Sequence, residues 1–180
     1  MAKATSVHIS AEVLQGSTLA ALDLSMTRDG EMSGQISLNN APVTVLVTQG
    51  QTYIKLTAEA LKAEGLPSAA CSLMCGKYLK MPAKEARGML SGIGWSDLVG
   101  QSSTLPAWSY VQTVTVNGQP AWEMRVAGQG TAYVAATGQP YPLRLVQGSN
   151  HVDFTQWNSA NIPPPPPASQ VVDLSQVMHF

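Results

Sequence analysis

A strict alternation of apolar and polar residues over the first third of the chain constrains the fold most. In Ser6–Gln15, for example, Val7, Ile9 and Ala11 occupy every second position. A period of two residues indicates a β-strand with one buried face. Short turn clusters such as Gln49-Gly50-Gln51 separate the alternating runs. The pattern predicts a meander of five strands, at 6–15, 18–28, 31–38, 42–49 and 51–56.

The same alternation returns after Trp108 and predicts five more strands up to position 157. Asn117-Gly118, between two of these runs, is typical of a tight β-hairpin. Ten strands are too many for a flat open sheet. We therefore expect the sheet to curl strongly or to close in part.

The segment 57–106, between the two meanders, lacks this alternation and predicts a helical insert. Thr57 precedes a run of good helix formers that ends at Gly65, as an N-cap and a C-terminal glycine would. Two further short helices are expected at 84–90 and 95–99.

An unbroken run of five prolines follows the second meander, at 163–167. Such a run is extended and cannot join a central strand. Two interpretations remain: a recognition motif, or a strap across the domain surface. The apolar residues Val171, Val172 and Leu174 come after it and favour the strap, because they could dock.

The length of 180 residues fits one domain, 1–180. Its parts are the first meander (6–56), the insert (57–106), the second meander (108–157) and a proline-rich C-terminal segment (161–180).

The net charge of −1 predicts no attraction to nucleic acid or to an anionic membrane surface. The sequence has no run of eighteen apolar residues, so no transmembrane helix is predicted. The first residues do not resemble a signal peptide, so for an exported protein we expect a targeting segment upstream of Ala4.

No catalytic or metal-binding pattern occurs in the sequence. His8, His151 and His179 are far apart, and each is interpreted as a solvent-facing residue instead of a ligand or a base. No serine lies in a Gly-x-Ser-x-Gly motif, and no glycine-rich stretch has phosphate-loop spacing. Because these motifs are missing from the sequence, we expect no enzyme activity, no bound metal and no cofactor.

Cys71 and Cys75 are the only two cysteines. A zinc site requires four ligands, and no second pair completes one. A redox dithiol has two residues between its cysteines, whereas three stand here. A disulfide within the insert is favoured, and it indicates an oxidising compartment.

Several strands carry hydrophobic residues on both faces: Val43, Val45 and Val47 alternate with Leu46, for instance. An antiparallel sheet with one solvent-exposed face does not require hydrophobic residues on both faces. Either the insert covers the second face, or a cavity lies between sheet and helices.

The layout resembles the LolA-like fold, specifically the actinobacterial LppX/LprG-type lipoproteins. The matching pieces are the first strand, the hairpin DGEMSGQI at 29–36, the strand GQTYIK at 50–55, a Tyr-Val strand followed by Pro-Leu-Arg-Leu within 133–145, and VDFTQWN at 152–158. The resemblance implies an α+β half-barrel of antiparallel strands whose helical insert covers the concave face. It also implies a cavity for the acyl chains of a lipid or lipoglycan. Members of this group are held at the extracytoplasmic face of the membrane by an N-terminal lipidated cysteine.

We therefore expect a cell-envelope carrier of lipid or another hydrophobic ligand. Its alternative is a protein-interaction or sensor module on the same fold, with an envelope protein as partner and no ligand. The predicted cavity lining is Leu24, Ile36, Val45, Val47, Ile54, Leu61, Leu90, Trp95, Trp122, Met124 and Leu143.

Overall fold

The computed structural model describes residues 3–15, 18–63, 65, 67, 69, 71–99, 108–126 and 130–174. Their strands are β1 Ser6–Gln15, β2 Thr18–Thr27, β3 Met32–Leu38, β4 Ala41–Thr48, β5 Gln51–Leu56, β6 Tyr78–Lys80, β7 Ser109–Val116, β8 Gln119–Val126, β9 Gly130–Ala135, β10 Pro142–Gln147, β11 Asn150–Thr155 and β12 Val171–Asp173. The helices are α1 Ala58–Ala63, α2 Cys71–Met74, α3 Ala83–Met89 and α4 Trp95–Leu98, and a short 3-10 helix spans Ala168–Gln170.

All these strands join one sheet in the order β12-β6-β5-β4-β3-β2-β1-β11-β10-β9-β8-β7. Every neighbouring pair is antiparallel except β12 and β6, which run parallel. The sheet is not closed, since β12 and β7 stand at its two ends. The predicted class, an antiparallel sheet with a helical insert, is confirmed.

A row of apolar side chains crosses the sheet on one face. Ile9 lies opposite both Phe154 and Leu24. Beyond Leu24 the row continues through Gly34 to Val45. It then reaches Ile54, Leu79 and Val172. Apart from Gly34 and the half-buried Val172, these side chains are buried and form the core of the molecule.

The five strands predicted for the first meander are all present, with bounds that differ by at most one residue. The strand count differs from the expected ten, because β6 and β12 add two strands of three residues each. Three residues are too few to display a period of two. The strand β6 pairs with β5, and the ion pair Lys80 Nζ–Asp173 Oδ2 at 3.1 Å joins β6 to β12.

The insert forms the predicted helices and covers the core row. The Thr57 hydroxyl accepts a hydrogen bond from the Ala60 amide at 3.1 Å, so Thr57 caps α1 as expected. Leu90, Ile93 and Trp95, around α3 and α4, pack against the core from the insert side. The two cysteines form the predicted disulfide, Cys71–Cys75, within and just after α2.

The chain after β11 is fastened to the start of β1. The amide of Asn158 donates to the carbonyl of Ser6 at 2.9 Å, and its side-chain oxygen accepts from the Thr5 amide at 2.8 Å. Trp157 stacks on Tyr141 with ring centroids 4.6 Å apart. From there the proline run leads to β12 at the far edge of the sheet. Its function as a strap stays a prediction.

Gly34 is the position in the core row that has no room for a side chain. Its φ is +148°, and a Cβ at this position would overlap the carbonyl oxygen of Asp23 on the neighbouring strand. Only glycine accommodates both the close approach and this backbone conformation.

We expect Gly34→Ala to destabilise the protein by roughly 2 to 4 kcal/mol, because backbone must move in the middle of the sheet. Gly88→Ala in α3 is the matched control: nothing lies within 4 Å of the added methyl group, and its φ is not positive. The control should be neutral or stabilising by up to about 1 kcal/mol. Urea unfolding of both variants measures the difference. Equal stability of the two variants would contradict the close approach at Gly34.

Candidate functional site

The apolar row and the side chains packed against it form one group, which we call the first core cluster. Seven of the eleven predicted lining residues belong to it: Leu24, Ile36, Val45, Val47, Ile54, Leu90 and Trp95. The structure therefore brings most of the predicted set together in one cluster between the sheet and the insert. Leu24, Val45 and Ile54 are buried at the centre of this cluster by the neighbouring strands and the insert. As a lining set, the eleven residues remain a prediction.

Two other members lie elsewhere in the interior. Leu143 belongs to a second core cluster together with Val116, Ala121 and Ala135. Leu61, on α1, is buried but belongs to neither core cluster. Leu143 and Leu145 are two positions apart and would share one face of a regular strand. A β-bulge between Pro142 and Arg144 interrupts the register there, and an extra residue changes which face a side chain points to.

Trp122 and Met124 lie on β8, in the part of the sheet formed by β7 to β10, which contributes nothing to the first core cluster. Trp122 is 41% exposed, and Met124 is half-buried. Met124 pairs with Ala132, which pairs with Leu145, itself 38% exposed. This part of the sheet therefore presents an open apolar strip.

A pocket of about 410 Å³ lies between α3 and the adjoining ends of β4 and β5. Its apolar walls come from Val47, Met81, Ala86 and Leu90, two of which belong to the predicted lining. Arg87 also lines it and is exposed. The remaining lining residues are Gly50, Gln51, Thr52 and Ala83, in the β4–β5 turn, at the start of β5 and at the start of α3. Its volume is within the usual range of ligand pockets.

A second, larger pocket of about 680 Å³ lies at one end of the central strands, where Thr27, Glu31 and Asn158 meet. Polar side chains and turn backbone dominate it, and none of the predicted lining residues takes part. Glu31 accepts hydrogen bonds there from the Thr48 hydroxyl at 3.2 Å and the Gln49 amide at 3.1 Å. Those bonds connect two hairpin turns, so the carboxylate has a structural role.

Sequence reasoning missed a polar row on the opposite face of the sheet. Glu123 lies opposite both Gln112 and Tyr133, and Tyr133 lies opposite Arg144. Arg144 then binds Asp153 with two parallel bonds, Nε–Oδ1 at 2.6 Å and Nη2–Oδ2 at 2.9 Å. Only the strand order reveals this row, because its members are far apart in sequence.

Glu123 is the one buried carboxylate among the described residues, at 3% exposure. The Gln112 side-chain amide donates to its Oε2 at 2.8 Å, and Arg125 Nη2 lies 2.6 Å from its Oε1. The Gln112 hydrogen bond lowers the pKa of Glu123 below its usual value, with Arg125 acting in the same direction against the effect of burial. This carboxylate is therefore ionised and serves to connect β7 with β8.

Two of the histidines lie on strands and are close to polar side chains, a hydroxyl or a carboxylate. His8 Nδ1 lies 3.1 Å from the Ser25 hydroxyl, and its Nε2 lies 3.7 Å from Asp23, whose side chain is 68% exposed. His151 lies 3.9 Å from Asp153. Neither pocket includes these residues. His179 lies outside the described residues.

The described ranges contain no group of three or more His, Cys, Asp or Glu residues that could hold a metal ion. Within the same ranges, no helix is long and apolar enough to cross a membrane.

No known family profile matches the sequence, and no curated protein matches it. The fold is nevertheless similar to that of a solved structure, LprF from Mycobacterium bovis. The two share a TM-score of 0.59 over 92% of this chain and 91% of that chain, with 16% sequence identity. At this identity the likeness concerns the fold alone, and it confirms the architecture that the sequence predicted.

We expect Gln112→Ala to raise the pKa of Glu123, because it removes the largest cause of the lowering. A lowered carboxyl pKa contributes stability above the unfolded-state pKa, and that contribution is lost as the pH falls through the folded-state value. The variant should therefore lose this stability at a higher pH than the parent protein. Carboxyl NMR of Glu123 against pH measures the shift. Gln35→Ala, at an exposed glutamine on β3, is the control and should leave the titration unchanged.

Proposed function

We propose that this protein binds an amphipathic lipid and carries it within the cell envelope. The observation that supports this best is the pocket under α3, which combines apolar walls with one exposed cation, Arg87. It lies between the sheet and the helical insert, where the resemblance to LppX/LprG-type lipoproteins implies a cavity. The likeness to LprF supports the fold on which the proposal rests.

The apolar walls provide the affinity for an acyl chain. Val47 and Met81 stand on the sheet side, and Ala86 and Leu90 belong to the insert side. Each methylene group removed from water there contributes about 0.8 kcal/mol. The side chain of methionine adapts to ligands of different shape, which suits a carrier. No bond is made or broken in this function.

Arg87 provides the recognition of a headgroup. Its Nε donates a hydrogen bond to the Ala83 carbonyl at 3.1 Å, which fixes the side chain along its own helix. The guanidinium group has further N–H donors in a planar fork that matches a carboxylate or a phosphate. An anionic headgroup at the pocket mouth therefore fits this residue.

The envelope location rests on two supports. The Cys71–Cys75 disulfide is typical of proteins in oxidising compartments. The resemblance to LppX/LprG-type lipoproteins implies attachment to the extracytoplasmic face of the membrane through a lipidated cysteine upstream of Ala4. Lipid or lipoglycan acyl chains would then be the ligands.

A protein-interaction module is the second candidate, and the edge strand β7 favours it. Tyr110 and Val111 on this strand are 58% and 43% exposed, and the strand carries no charged residue. Such an edge can pair with a strand of another protein. In that function the pocket would stay without a ligand.

We expect organic extraction of the natively purified protein to release bound lipid, detected by mass spectrometry. Ala86→Leu should lower the lipid content, because it narrows the pocket. Ala60→Leu on α1 is the matched control, since Ala60 is equally buried and does not line the pocket. Protein without lipid in every preparation, binding no added fatty acid, would favour the interaction module.

We expect Arg87→Gln to weaken binding of a fluorescent fatty acid about tenfold, corresponding to about 1.5 kcal/mol for a hydrogen bond to a charged group. Binding of the methyl ester of the same probe should be unchanged, because the ester carries no charge. Lys84→Gln is the control on the same helix, exposed and outside the pocket. Equal losses for acid and ester, or for both variants, would contradict the headgroup role of Arg87.

A further inference from the structure

The chain leaves the sheet beside the pocket under α3. The strand β12 runs parallel to β6, and Asp173 at its end lies opposite Lys80 at the end of β6. Lys80 is followed by Met81, whose amide donates a hydrogen bond to the carbonyl of Thr52 at 2.9 Å. Met81 and Thr52 both line the pocket. Leu174, which follows Asp173, therefore lies at the same end of β6 as the pocket.

Leu174 is held on the apolar surface that borders this pocket. Its side chain is half-buried and packs against the first core cluster. Met81 and Leu90, two of the pocket walls, pack against the same cluster. The residues that come after Leu174 therefore start from the rim of the pocket.

The six residues after Leu174 are Ser-Gln-Val-Met-His-Phe. We call this segment, 175–180, the tail, and it lies outside the described residues. It contains no Asp, Glu, Lys or Arg, and Val177, Met178 and Phe180 are apolar. Leu174, Val177 and Met178 have the spacing i, i+3 and i+4, which one turn of helix would place on a single face. A segment of this composition enters an apolar pocket without removing a charge from water.

The tail is long enough to reach the pocket. Leu174 and Met81 come directly after paired residues of neighbouring strands, and such strands are about 5 Å apart. A segment as long as the tail spans up to about 20 Å when extended and about 9 Å as a helix. Both lengths exceed the separation between the strands.

A short tether makes the tail an effective competitor for the pocket. A segment that is joined through few residues is present at an effective concentration of about a millimolar. Weak contacts of its apolar side chains with Val47, Ala86 and Leu90 are then sufficient to fill the pocket.

We propose that the tail is an internal occupant of the pocket under α3 and competes there with the lipid. This inference rests on the function proposed above for the pocket and adds the regulation of that site. Without lipid, the tail covers apolar walls that would otherwise face water. A lipid must displace the tail to enter, so its apparent affinity is reduced by the fraction of molecules whose pocket is open.

The first test is the affinity of the delipidated protein for a fluorescent fatty acid. Met178→Gln combined with Phe180→Ser should bind the probe about tenfold more tightly, the factor expected if the tail fills roughly nine-tenths of the pockets. Gln176→Ala combined with His179→Ala is the matched control, because it changes two polar residues of the same segment, and it should bind like the parent protein. Near-ultraviolet circular dichroism verifies that both variants are folded. Unchanged affinity of the first variant, or an equal gain in both, would overturn the proposal.

The second test needs no ligand and locates the tail directly. Benzoylphenylalanine in place of Phe180 is activated by light, and mass spectrometry of the digested protein identifies the residue to which it becomes linked. We expect cross-links to Met81 or Leu90, and their loss when Ala86→Leu narrows the pocket. Ala60→Leu, at an equally buried site outside the pocket, should retain them. Cross-links only to residues outside the pocket, or none within the protein, would contradict the internal occupant.

The two tests together separate this proposal from the carrier function. Cross-links to the pocket in a protein that binds no fatty acid would refute the carrier alone. Binding of fatty acid that is independent of the tail, without cross-links to the pocket, would refute the internal occupant and leave the carrier.

Discussion

The register of the central strands places Ile9, Leu24, Val45, Ile54 and Leu79 on one face of the sheet, and the other elements depend on this packing. Because side chains alternate between the two faces, a slip of one residue in any of these strands would turn its core residues to solvent. The continuous apolar face that results is the surface against which the helices of the insert pack. Helices as short as α1 to α4 are marginal in isolation, so this packing stabilises them.

The first meander was predictable from sequence almost residue by residue. Each of its strands buries one face, and the turns after β2, β3 and β4 carry glycine or asparagine with a positive φ, as at Asn39 and Asn40. Local signals and tertiary packing agree there, which is why the alternation of Ser6–Gln15 was sufficient. The capping threonine of α1 and the disulfide were predictable for the same reason, since both act over four residues or fewer.

Other features depend on contacts that sequence patterns do not record. The β-bulge at Pro142 shifts Leu143 away from the face of Leu145, and only the pairing with β9 reveals it. Trp122 was expected in a cavity because it is apolar and on a strand. The structure leaves it 41% exposed, since the insert covers only the first part of the sheet. The bonding of Arg144 to Asp153 likewise requires knowledge of which strands are neighbours.

A ligand that occupied the predicted lining as a whole would have to enter the closed core. Leu24 and Val45 are almost completely buried there, and opening that cluster would expose apolar surface at about 25 cal/mol per Å². The pocket under α3 avoids this cost, because Val47 and Leu90 already border open space at the rim of the same core. A carrier must release its ligand as well as bind it. For the proposed carrier function, a pocket at the rim of the core and not at its centre would allow an acyl chain to leave without disruption of the row on which the fold depends.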